Sequence, residues 1–231
     1  MESFLQNKYF LIALTFAVFL GAKQLQKRTG VAVFHPILVT ILVLICFLYA
    51  GGISPDTYTE GGEYIDFWLK PAVVALGVPL YRQLENIRKQ MVPLLLAELA
   101  GCVAGVVSVV LLARFLGASD AVVLSLAPKA VTTPIAMEIS ATVGGIPSLT
   151  AAVVVCTGIF GGMAGFQMLR LSRVHSPIAG GLSVGTSAHA VGTAAAIERY
   201  GMRYGAFSSL GLTLNGLLTS LLTPVILPLI L

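Results

Sequence analysis

Apolar runs long enough to cross a bilayer follow one another along almost the whole chain, and this limits the fold more than any other feature. A helical crossing needs about 20 mostly apolar residues. Lipid accepts only helices and closed barrels, because backbone polar groups find no water there. Of the 231 residues, 57% are hydrophobic and 10% are charged, whereas soluble domains carry about 25% charged residues. A soluble enzyme and a disordered chain are both excluded. No basic stripe forms among the Lys and Arg residues, so nucleic acid is not an expected partner. The expected fold is all-α and polytopic, one transmembrane domain over 1–231 with about six full transmembrane helices.

Charge orders the runs. Tyr9 to Gly21 is followed, not preceded, by Lys23, Lys27 and Arg28, the reverse of a signal peptide. It reads as a retained helix entering from outside. Val31 to Ala50 returns. Gly51 to Asp66 carries Asp56, Glu60, Glu63 and Asp66 without Lys or Arg and belongs outside. A short run, Pro71 to Tyr81, leads to the basic stretch Arg82 to Lys89, expected inside. Met91 to Leu112 crosses back. Residues 1–117 would form scaffold and part of the core.

The C-terminal half is less regular. Ala121 to Val143 is interrupted by Pro128-Lys129 and Thr132-Thr133-Pro134, and Pro177 to Glu198 by a series of Gly, Ser, Thr and His. Each broken segment precedes a clean span, Leu149 to Gln167 or Gly205 to Leu231. Sliding the chain by 60 residues lays Ala130-Val131-Thr132-Thr133 on Ala190-Val191-Gly192-Thr193, with seven of nineteen positions identical over 130–148. Two repeat units follow, 120–171 and 177–231. If each broken segment crosses fully, the units are parallel. If each dips in and returns, the units are inverted and Arg170, Arg173, Arg199 and Arg203 all fall inside. The positive-inside rule favours the second arrangement; with the N-terminus outside, both arrangements put the C-terminus outside as well. Inverted repeats with discontinuous segments are a design of secondary transporters.

Irregular backbone at membrane depth needs a lined cavity, and freed N–H groups at half-helix starts attract anions. The substrate-binding candidates are therefore Lys129, Thr132, Thr133, Pro134, Ser187, His189, Gly192, Thr193 and Asn215. Thr132, Thr133, Ser187 and Thr193 would hold a carboxylate, and Lys129 would add positive charge. Glu138, His189 and Glu98 are candidates for proton coupling. Each has a plainer alternative: Lys129 snorkelling, Glu138 at a helix end, His189 a satisfied core residue, Glu98 a paired structural group, Asn215 helix–helix glue. Cys46, Cys102 and Cys156 read as small apolar filler. Neither a catalytic constellation nor a metal-ligand spacing is present, so no enzyme, cofactor or metal is expected. The pair Gly101 and Gly105 allows a close-packed homodimer.

The stretches Pro128-Lys129-Ala130-Val131-Thr132-Thr133-Pro134-Ile135-Ala136 and Ser187-Ala188-His189-Ala190-Val191-Gly192-Thr193-Ala194 resemble the LrgB/CidB family of bacterial membrane proteins, most of all its enterobacterial inner-membrane members. The resemblance extends over nearly the whole chain. It implies an inner-membrane location and a smaller LrgA/CidA-type membrane partner. It also implies two competing functions. Members were named as antiholin-like regulators of murein hydrolases, while a plant relative carries glycolate and glycerate and bacterial relatives are linked to small carboxylates such as pyruvate. Taken with the residues, the expectation is a secondary transporter of small monocarboxylates or hydroxy acids by alternating access. The alternative is an antiholin-like regulator.

Overall fold

The computed structural model describes residues 7–31, 34–68, 71, 75, 77–82 and 84–231. Among the described residues the regular structure is helical, with no strand. The chain divides into two compact units, Met1–Ala75 and Leu76–Leu231. The second unit contains both repeats.

In the first unit, α1 (Lys8–Thr29), α2 (Pro36–Ala50) and α3 (Pro55–Asp66) follow in order. The Asn7 side chain accepts from the Tyr9 and Phe10 amides to start α1, and Gly30 in the left-handed region ends it, as a C-terminal glycine does. Ser54 caps α3 by accepting from the Thr57 amide, with Pro55 in the first turn. The acidic stretch after α2 is thus largely a helix. It lies against α1, where Thr15 Oγ1 and Tyr58 Oη are 3.0 Å apart and Lys8 Nζ donates to Tyr64 Oη at 3.2 Å.

The second unit begins with two short helices, α4 (Gly77–Arg82) and α5 (Leu84–Lys89), over the basic stretch. The apolar run expected over 71–81 otherwise lies largely outside the described residues. Then come α6 (Met91–Phe115), α7 (Asp120–Leu126), α8 (Thr133–Val143), α9 (Pro147–Leu171), α10 (Pro177–Tyr200) and α11 (Met202–Ile230). Four helices among the described residues are long and apolar enough to cross a membrane: α1, α6, α9 and α11. About six had been expected. With 15 residues, α2 is shorter than a full crossing, and the run over 71–81 lies largely outside the described residues.

Burial on α6 falls on Leu94, Glu98, Cys102, Val106, Val110 and Ala113. That spacing of four and three is one stripe of a helix; the rest of α6 is largely exposed, as a lipid-facing helix is. The centre of the unit is α11, with buried residues on most of its circumference between Gly205 and Gly216. It meets α10 through Gly181 and Gly185. A Cβ on Gly181 would stand 2.5 Å from the Tyr204 carbonyl oxygen, and one on Gly185 would collide with the carbonyl of Ser208. Only glycine at this i, i+4 pair lets the two backbones come together.

Both broken segments are broken. In the first repeat α7 stops at Leu126, residues 127–132 leave the helix, and α8 resumes at Thr133. In the second the interruption is one residue inside α10, His189 at φ 42° and ψ −136°. Shifted by 60, His189 falls on Lys129, within the first interruption. The halves of α10, 177–188 and 190–200, are each about 18 Å long at most at 1.5 Å per residue, far short of a 30 Å hydrocarbon core.

Candidate functional site

The two interruptions are tied to each other's long helices. Asn215 of α11 donates through Nδ2 to the Ala130 carbonyl in the first interruption, at 3.3 Å. His189, at the second interruption, places Nε2 3.0 Å from the Val154 carbonyl of α9. Under the 60-residue shift, Ala130 corresponds to Ala190 and Val154 to Leu214, each within one residue of the opposite contact. Contacts in which each copy's element i meets the other's element j are what a two-fold relation demands. The two contacts thus tie each interruption to the long helix that follows the other one.

Between these ties lies a cavity of about 460 Å³. It is walled by α6, the first interruption, α9, α10 and α11, and its lining is mostly apolar, with Phe160, Met168 and Leu182 alongside Gly101, Gly105 and Gly161. The polar groups form a connected line. Cys102 Sγ is 3.3 Å from Thr219 Oγ1, and Thr219 donates to Asn215 Oδ1 at 3.2 Å. Asn215 Nδ2 donates to the Thr186 carbonyl at 2.8 Å, and Thr186 Oγ1 lies 2.5 Å from Glu98 Oε1. On another wall the half-buried Lys129 directs Nζ to the Gly105 carbonyl at 3.4 Å, a long and weak contact.

Of the residues expected to bind substrate, the structure brings Lys129, Ser187 and Asn215 to this cavity, together with Glu98. Ser187 Oγ donates back to the Ser183 carbonyl at 2.7 Å. The others do not converge there. Thr193 is fully buried in the α10–α11 contact, with Oγ1 2.9 Å from both the His189 carbonyl and Ser208 Oγ. Gly192 is packed on Val184 and Ala188. Thr132 and Thr133 start α8 away from the cavity, with Pro134 exposed beside them. The anion cradle of four hydroxyls read from the sequence is not assembled. The reason is rotational: Thr132 closes the first interruption and Thr133 opens the helix after it, while Thr193, one turn past the second, is turned onto Ser208 of α11.

The coupling candidates separate in the same way. Glu138 is exposed on α8, and Thr142 donates to its backbone carbonyl. His189 is 4% exposed, and its ring is enclosed by α9, where a Cβ on Gly158 would stand 2.6 Å from Cε1. Its ring is held between α9 and α10. Gly101 and Gly105 line the cavity. Sequence reasoning names Thr186 among the polar groups of the second broken segment without selecting it for binding, and misses Thr219 and Cys102 as cavity groups. A signal was available in the α6 stripe, where Cys102 sits one turn from Glu98 and both fall on the buried side.

The pattern of the LrgB-like family matches residues 15–229. The chain is 37% identical over 210 residues to YxaC of Bacillus subtilis (strain 168), covering 91% of each chain. It is 36% identical over 220 residues to the antiholin-like protein LrgB of the same organism, covering 95% of this chain and 94% of that one. The antiholin-like protein LrgB of Bacillus mycoides (strain KBAB4) is 35% identical over 212 residues, covering 91% and 92%. No solved structure matches.

Proposed function

This chain belongs to the LrgB-like family and is integral to a membrane, and we propose that it is an antiholin-like regulator of murein hydrolase activity. The relatives carry this reading: antiholin-like proteins at 35% and 36% identity align with more than nine-tenths of the chain. The proposed setting is the bacterial cytoplasmic membrane, with both termini outside, inverted repeats as the positive-inside rule favours, and a small LrgA/CidA-type membrane protein as partner. Deleting the gene in its host tests the reading. Faster detergent-induced lysis and stronger murein hydrolase bands in zymograms, both reversed by the gene in trans, are the expected result. Unchanged lysis would sink it.

A carrier for small carboxylates is the second reading, favoured by one observation: the cavity, within the 300–1,000 Å³ usual for small-molecule sites, with Lys129 facing it. A regulator needs no saturable solute site. Uptake of radiolabelled glycolate and pyruvate into proteoliposomes, with and without a pH gradient, separates the two. Saturable uptake that Lys129→Gln abolishes supports a carrier, and none under either condition leaves the regulator alone.

A further inference from the structure

Glu98 is a full-length carboxyl side chain 1% exposed on a membrane-spanning helix. It sits where α6, α10 and α11 meet, and Gly211 of α11 leaves the space it fills: a Cβ there would stand 3.0 Å from Oε1 and 3.1 Å from Thr186 Oγ1. Its Oε2 has no hydrogen-bond partner among the described residues. An ionised carboxylate held this way, with one oxygen unpaired among the described residues, is strongly unfavourable.

The hydrogen count decides the form. Thr186 Oγ1 lies 2.5 Å from Glu98 Oε1 and 2.8 Å from the Leu182 carbonyl. Both are acceptors when Glu98 is ionised, yet a hydroxyl carries one hydrogen. Each contact is a full two-centre hydrogen bond when Glu98 supplies a hydrogen of its own. Glu98 Oε1–H then donates to Thr186 Oγ1, and Thr186 donates to Leu182 O. In the ionised form Thr186 turns its hydrogen to Glu98 and leaves the Leu182 carbonyl without it.

We propose that Glu98 is a proton-binding site of the cavity, with Thr186 as the hydroxyl that reads its state. The proton comes from water entering the cavity and returns to it. The residues of α10 and α11 that contact Glu98 or line the cavity beside it, Leu182, Thr186, Gly211 and Asn215, carry no charge. The titratable or charged groups facing the same cavity are Lys129 and Cys102. The inference rests on the cavity and the hydrogen count, and it stands or falls apart from the carrier reading.

The test is infrared difference spectroscopy of the full protein in liposomes, titrated in pH, following the protonated-carboxyl stretch. The expected result is a band that disappears as pH rises, is absent in Glu98→Gln, and persists in the control Glu138→Gln. In Thr186→Val, which removes the acceptor and keeps the shape, the band should move to higher frequency. Glu98→Gln retains the size and can donate to Thr186 through its amide, and the Thr186→Val shift reads the same bond without altering the carboxyl. A band unchanged in Glu98→Gln, or no pH-dependent band in the folded wild type, overturns the proposal. Solute uptake read on the same liposomes bears on the carrier alone.

Discussion

The 60-residue shift lays the two interruptions on each other, but they are made by different means. The first contains Pro128 and is followed by Pro134, and the chain leaves the helix for residues 127–132. Proline removes a backbone donor and crowds the preceding turn, so the gap is wide and Lys129 points into the cavity. The second has no proline. It is confined to His189, held at a positive φ that costs a non-glycine residue about 1–3 kcal/mol and kept there by the Val154 carbonyl and the glycine surface of α9. A wide break exposes its central residue, and a narrow one buries it. That is why Lys129 and His189, equivalent in the repeat, are a cavity group and a structural pin.

The largest effect should come from filling the space around the pin. Gly158→Leu puts side-chain atoms where the His189 ring sits and should cost about 3 kcal/mol, read as a lowered unfolding midpoint of the reconstituted protein. Tolerance of leucine there would remove the pin from the account. Next is Asn215→Leu, which strips the donor from the Ala130 and Thr186 carbonyls. We expect about 2 kcal/mol of lost stability, with increased proteolysis at 127–132 as the independent readout. A smaller effect sharpens the contrast in backbone strain. His189→Gly and His189→Ala lose the same ring, but glycine accepts positive φ, so the glycine variant should be the more stable by about 1 kcal/mol. Equal midpoints would mean that the strain is absent. The smallest stability change belongs to the wide break: Lys129→Met loses only one long contact and should shift stability by less than about 0.5 kcal/mol. A loss of several kcal/mol would make Lys129 structural.

Much of the architecture was legible in the sequence because its causes are local. Runs of apolar residues bounded by charge gave α1, α6, α9 and α11, and the 60-residue shift placed both interruptions. The acidic stretch after α2 was read for its side of the membrane, not for its helix, which depends on the Ser54 cap and on packing against α1. The site was only partly legible. Lys129, Ser187, Asn215 and Glu98 were identified, but Thr132, Thr133 and Thr193 were assigned to the same cavity. Which face a residue presents after an interruption depends on the dihedral angles at that interruption, and these are set by close approaches such as Gly158 to His189. Composition carries no record of such contacts. Thr186 and Thr219 went unselected because their significance lies in their partners, Glu98 and Asn215, each supplied by another helix or another turn.

Thiol accessibility tests most directly the claim that one interruption faces the cavity and the other is buried. The background replaces Cys46, Cys102 and Cys156, and single variants Lys129→Cys, Ser187→Cys, Thr133→Cys and Thr193→Cys are exposed to a small water-soluble maleimide in membrane vesicles. Labelling at positions 129 and 187, with protection at 133 and 193, is the predicted result. Labelling at 193 and protection at 129 would contradict it.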